Sequence, residues 1–167
     1  MFELKTLSRE GIPGALARVE RYRLLNQPQE AESICLDVLQ IEPDHQEALV
    51  GLILSLTDQF DHGVPGIVGR AREVLPRLGD EYERAYYAGI ISERCAKTQL
   101  RQARPGSARV AYESFLEAKR WYEQAEAIRP AGNDDVLLRW NACARAMLRH
   151  PNLGPTPEER YEPYADS

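Results

Sequence analysis

A histidine beside a carboxylate is a pairing suited to general acid–base chemistry. The sequence carries it twice, as Asp44-His45 and Asp61-His62, with a third histidine at Arg149-His150. Adjacent residues on a helix point in different directions, so neither pair builds a base held by its own carboxylate. Asp44 is better used as a helix cap. The three cysteines, Cys35, Cys95 and Cys143, are odd in number and widely spaced, which is neither a disulfide framework nor a metal-ligand pattern. Nothing pairs a thiol with a base, so nucleophilic catalysis has no support. Gly63-x-x-Gly66-x-x-Gly69 precedes a helix, and a helix N-terminus can hold phosphate. No strand precedes it and no Gly-Lys-Ser/Thr follows, so it reads as a loop between helices. The expectation is no catalytic residue, no bound cofactor and no metal. One charged group stands out: Lys97, Arg101, Arg104 and Arg109 cluster in one stretch. They could receive an acidic partner or the acidic residues Glu158, Glu159, Glu162 and Asp166, although such runs are more often solvated helix ends.

The totals restrict the remaining classes. The chain has 167 residues, 43% hydrophobic and 28% charged, enough apolar content for a real core. Its formal net charge of −5 makes it a poor candidate for nucleic acid or an anionic membrane surface. The longest apolar run, residues 48–56, is far short of the roughly 20 residues that span a bilayer. The opening MFELKTLSREGIPG lacks the apolar stretch of a secretory signal. A reducing, cytoplasmic location is expected.

The elements that must position any site are helices throughout. Apolar residues recur at helical spacing between turn signals, and no alternating strand pattern is present. A first helix is expected over residues 13–26, with Pro13 in its first turn. A second opens at Pro28 and stops before Pro43, carrying Ala31, Ile34, Cys35, Val38 and Leu39 inward. The third starts after an Asp44 cap and continues through Leu49, Leu52, Ile53 and Leu56. A fourth spans 66–78 and is ended by Gly79. Asp80 caps a fifth that runs to Gln102, and Ser107 caps a long sixth to Ile128. The turn at 130–134 starts a seventh, residues 135–149. The organisation is thus an N-terminal segment 1–12, a helical domain 13–150 and a tail 151–167, expected to be mobile because it holds Pro155, Pro157 and Pro163 without apolar periodicity.

Two of these helices match each other. AESICLDVLQIEP, residues 31–43, overlies AKRWYEQAEAIRP, residues 118–130, with small, bulky and proline positions at equal offsets. Alanine permits close helix approach, the bulky residue four positions later fills the groove, and proline ends the helix. The pattern resembles the second helix of a tetratricopeptide repeat, A-x3-F followed by a terminal P. Tyr86-x-x-Gly89, Leu49-x-x-Leu52-Ile53-x-x-Leu56 and Val136-x-x-Arg139-Trp140-x-x-Cys143 have spacing similar to the first-helix half of that motif. No unit contains the full set. The separation of Pro43 from Pro130 is not a multiple of the repeat length of about 34 residues, the excess falling in the third pair around a connector at 97–109.

The resemblance implies an all-α fold of about seven helices, arranged as a right-handed superhelical array of antiparallel pairs. It also implies a concave groove, lined by the first helix of each pair, that holds a peptide or partner helix. Carrying the register over places Leu16, Glu20 and Arg23 there, then Val50, Leu54 and Thr57, then Tyr86, Ile90, Glu93 and Arg94, and finally Leu137, Asn141 and Arg145. Leu16, Glu20, Val50 and Leu54 stand where some family members carry a Lys/Asn carboxylate clamp, so clamp-type binding is not expected. Trp121, Tyr122 and Trp140 read as packing residues. The final helix carries two apolar stripes, Val136, Trp140, Cys143 and Met147 beside Leu137, Ala144 and Leu148, with Leu138 widening the band. A terminal helix should be polar outside, so a homo-oligomer assembling through it is the alternative to a protein-interaction scaffold.

Overall fold

The computed structural model describes residues 1–154; of the expected mobile tail 151–167, residues 155–167 with its acidic side chains lie outside the described residues. Seven α-helices follow one another: α1 (Ile12–Leu24), α2 (Pro28–Ile41), α3 (Gln46–Thr57), α4 (Ile67–Val74), α5 (Glu81–Gln102), α6 (Ser107–Ala127) and α7 (Asp135–Arg149). Among the described residues there is no strand. None of the helices there is long and apolar enough to cross a membrane.

Helix ends follow the turn chemistry, with instructive departures. Pro13 lies in the first turn of α1 and Pro28 opens α2, positions where a missing N–H costs nothing. Asp80 caps α5, its Oδ1 accepting from the Tyr82 amide at 3.0 Å. The cap of α3 is His45 and not Asp44: the imidazole Nδ1 accepts from the Ala48 amide at 3.3 Å. The α4 helix is shorter than its apolar pattern, because Pro76 has no N–H for another α-helical bond. The chain tightens there into a 3-10 turn, Leu75–Arg77, and Gly79 lies beyond it. Ser107 is the first residue of α6; its hydroxyl accepts from the Arg104 amide at 3.0 Å, and Gly106, at φ 82°, takes the cap position. At the start of α7 the Asn133 side chain accepts from the Asp135 amide at 3.0 Å, leaving Asp134 to pair with Arg129 at 2.6 Å.

Each helix packs on its neighbour in sequence, and α1 also touches α3, and α3 touches α5. Two cores result. The first gathers Leu16, Val19, Ala31, Cys35, Val38, Leu49, Ile53, Leu56, Ala71 and Leu78 with Ile91. The second gathers Tyr82, Ala96, Phe115, Ala118, Tyr122, Ala125, Val136 and Cys143. The Ala31/Cys35 and Ala118/Tyr122 positions read as inward-facing are fully buried, one pair in each core. Beyond α7, residues 151–152 form a turn and Leu153 packs against the second core.

Candidate interaction surface

Helices α1 and α3 stand side by side, and their facing residues enclose a hollow of about 300 Å³. Five of the residues expected in the groove meet there: Leu16, Glu20 and Arg23 from α1, Val50 and Leu54 from α3. Helical spacing explains the set, since positions four and seven apart share a face. Gly51 allows the approach. A Cβ on it would lie 2.9 Å from Cys35 Sγ and 3.3 Å from Val19 Cγ1. Leu16 forms the floor and belongs to the core, Val50 and Leu54 are half-buried walls, and Glu20 is open to solvent.

The same Glu20 and Arg23 border a larger, charged cleft of about 600 Å³. Its centre is Asp58, just after α3. Arg23 Nε donates to Asp58 Oδ2 at 2.7 Å, and Arg94 Nη2 from α5 donates to Asp58 Oδ1 at 2.9 Å. One carboxylate thus joins three helices. Beside it Asp61 accepts from Thr98 Oγ1 at 2.8 Å and pairs with Arg101 at 2.6 Å. Burial pushes the Asp61 carboxyl up, but the Thr98 hydroxyl and the Arg101 and Arg94 guanidiniums outweigh it and hold it below the ordinary range. Leu24 is 81% exposed at the rim and gives the cleft an apolar lip.

Asp58 escaped the sequence reading because it falls at a helix end, and Asp61, in the 3-10 turn Phe60–His62, was weighed only as the neighbour of His62. The available signal was on α5, where Arg94, Lys97 and Arg101 recur at helical spacing. The basic stretch is not a long connector either: α5 continues to Gln102, so Lys97 and Arg101 are helical, and only residues 103–106 form the turn. Arg109 pairs with Glu113 at 3.1 Å on α6.

The other expected groove residues separate. Tyr86, Ile90 and Leu137 are half-buried against the second core. The Tyr86 ring packs against Tyr82, Tyr87 and Tyr122, and burial pushes its hydroxyl up to about 12. Asn141 and Arg145 stand exposed on α7, outside the hollow and the cleft. Thr57, at 2% exposure, is inside, its hydroxyl donating to the Leu54 carbonyl at 2.8 Å.

Glu93 is also buried, with no exposed surface. Its carboxylate accepts from Lys97 Nζ at 2.7 Å, from Tyr122 Oη at 3.1 Å, from Arg139 Nε at 3.2 Å with a second contact from Arg139 Nη2, and from Cys143 Sγ at 3.3 Å. Burial raises the Glu93 carboxyl, but the Lys97 and Arg139 charges more than offset this and hold it below its usual value. The group fastens α5, α6 and α7 together. Burial, followed by the Glu93 charge, raises the Cys143 thiol; burial also lifts Cys95 and takes Cys35 up to about 12. All three thiols therefore stay protonated near neutral pH. Among the described residues, no group of three or more His, Cys, Asp or Glu side chains is arranged to hold a metal ion. Comparison with family models, with curated proteins and with solved structures finds no match.

Proposed function

We propose that this chain is a protein-interaction scaffold, a divergent tetratricopeptide-like array whose helix pairs wind as a right-handed superhelix and act in the cytoplasm. Its ligand is an amphipathic peptide or partner helix. Apolar side chains of the ligand sit against Leu16, Val50 and Leu54, and its polar groups meet Glu20, Arg23 and Arg94. The observation carrying this reading is the convergence of residues from α1 and α3 on one open hollow that continues into the Asp58 cleft. There α3 turns the half-buried apolar walls Val50 and Leu54 to solvent over a floor that α1 supplies, which a self-contained core has no need to do.

The test is capture from the native host with the wild-type chain beside Glu20→Arg and Leu54→Glu, each checked for an unchanged melting profile. Glu20 is exposed and Leu54 half-buried, so both variants can fold. A partner held by the wild type and at least tenfold depleted by both variants is expected. Equal retention by all three baits removes the hollow as the binding site. Self-association through α7 is the second reading, favoured by Leu138 at 64% and Leu148 at 83% exposure. It is the lesser one, because exposed Asn141 and Arg145 interrupt that face.

A further inference from the structure

We propose that residues 1–7 are an exchange arm that seats in an apolar groove on a second copy of this chain, closing a two-fold dimer. The arm has neither helix nor strand before the 3-10 turn at Arg9–Gly11. Its base is fixed. Leu7 packs against the first core, Ser8 caps the 3-10 turn, and Arg9 pairs with Glu42 at 3.1 Å. Outward from Leu7 the arm is exposed at every residue, Phe2 at 101% and Leu4 at 91%. In extended chain, side chains alternate sides, so Phe2 and Leu4 share one side while Glu3 and Lys5 take the other.

A receptor of matching character lies between the 3-10 turn Leu75–Arg77 and the α5–α6 pair. It is a groove of about 800 Å³ lined by Leu75, Pro76, Ala85, Ala88, Trp121 and Ile128. The two alanines leave depth beside the Trp121 ring, and Ile128 is 45% exposed at the α6 end. Glu81 and Arg84 also line it, and Arg84 Nη1 donates to the Leu78 carbonyl at 2.7 Å. Groove and arm therefore match in apolar character, with Glu3 and Lys5 of a seated arm turned to solvent.

Arm and groove lie on one chain and each lacks a cover, which favours a second copy over a foreign partner. One phenylalanine buries about 150–250 Å², whereas a specific interface needs about 1,200 Å² in total. A single arm is too small, but reciprocal exchange doubles every contact and closes as a dimer without leaving a free arm or a free groove. A foreign segment in the groove would leave Phe2 and Leu4 uncovered. None of these residues lines the hollow of α1 and α3, so the dimer and the scaffold reading stand or fall separately.

The experiment is sedimentation velocity of the full chain over a wide concentration range, beside Phe2→Glu/Leu4→Glu and Ile128→Glu. In a Trp140→Phe background, Trp121 alone reports on the groove by fluorescence. The expected result is a concentration-dependent dimer, at least tenfold weaker in both variants, with Trp121 emission moving to the blue on association. Three results overturn the proposal: a monomer at every concentration, a dimer equally strong in both variants, or a monomer whose Trp121 emission changes on arm substitution, which would mean that the arm folds back on its own groove.

Discussion

Glu93 carries a formal charge with no exposed surface, a placement that is costly unless the group is paired and hydrogen-bonded. Two cations and two neutral donors meet that requirement. Replacing Glu93 with Gln keeps the shape but removes the charge that Lys97 and Arg139 face, and should cost about 1.5–3 kcal/mol in denaturant unfolding. The pH dependence has a definite sign. The folded-state value lies below the ordinary one, so the unfolded chain binds the proton more readily. The stabilisation is complete above the usual glutamate value, about 4.3, and disappears as pH falls through the lower folded value. Wild-type stability should therefore drop on acidification with a steeper slope than that of Glu93→Gln, by up to about 1.4 kcal/mol per pH unit. Parallel slopes would show that Glu93 does not titrate with folding. The sequence led to the opposite placement, a groove position, because the repeat register carried onto α5 puts Glu93 beside Ile90 and Arg94. Lys97, one turn away, was visible as a partner. Arg139 was not, since only the packing of α7 brings it to α5.

At the scale of elements, the close packing of α5 on α6 depends on one missing side chain. A Cβ at Gly89 would lie 2.4 Å from Tyr122 Cε1 and 2.6 Å from Cδ1. That ring is fully buried and its hydroxyl is bound to Glu93, so it has no room to yield. Gly89→Ala should therefore lose about 1–3 kcal/mol in chemical denaturation, although alanine is the better helix former. Gly69 on α4 supplies the contrast. A Cβ there meets nothing within 4 Å, and Gly69→Ala should gain about 0.5–1 kcal/mol. A gain at both positions would sink the packing argument. The Tyr86-x-x-Gly89 and Ala118-x-x-x-Tyr122 spacings were legible before the fold, and so were the bounds of α7, the start of α2 at Pro28 and the Asp80 cap, because turn chemistry is local. Competition between adjacent candidates was less legible. His45 displaces Asp44 at one cap, and Gly106 with its positive φ displaces Ser107 at another. Each choice depends on where the preceding helix leaves the chain. The groove residues divide in the same way. Leu16, Glu20, Arg23, Val50 and Leu54 come together through helical period and direct neighbouring of α1 and α3. Asn141 and Arg145 depended on a register carried across the long α5–α6 pair.

The whole molecule is joined along α5, which sends Ile91 into the first core and Tyr82, Ala85 and Ala96 into the second. Asp58 reinforces the same junction by holding Arg23 of α1 and Arg94 of α5 at once. Arrays in which each unit contacts only its neighbours can unfold piecemeal. A helix shared by both cores opposes this, because losing either core exposes part of the other. Both tryptophans, Trp121 and Trp140, belong to the second half of the chain, whereas far-ultraviolet circular dichroism reports on all seven helices. The two signals should follow one denaturation curve, as a two-state chain requires. Ile91→Ala removes a fully buried side chain of the first core and should cost about 2–5 kcal/mol. Its fluorescence midpoint should move with the dichroism midpoint, although no tryptophan touches the first core. If instead tryptophan fluorescence kept its wild-type midpoint while helicity fell earlier, the cores would be independent units, and the cleft residues Arg94 and Lys97 would be anchored to a half that the α1–α3 hollow does not need.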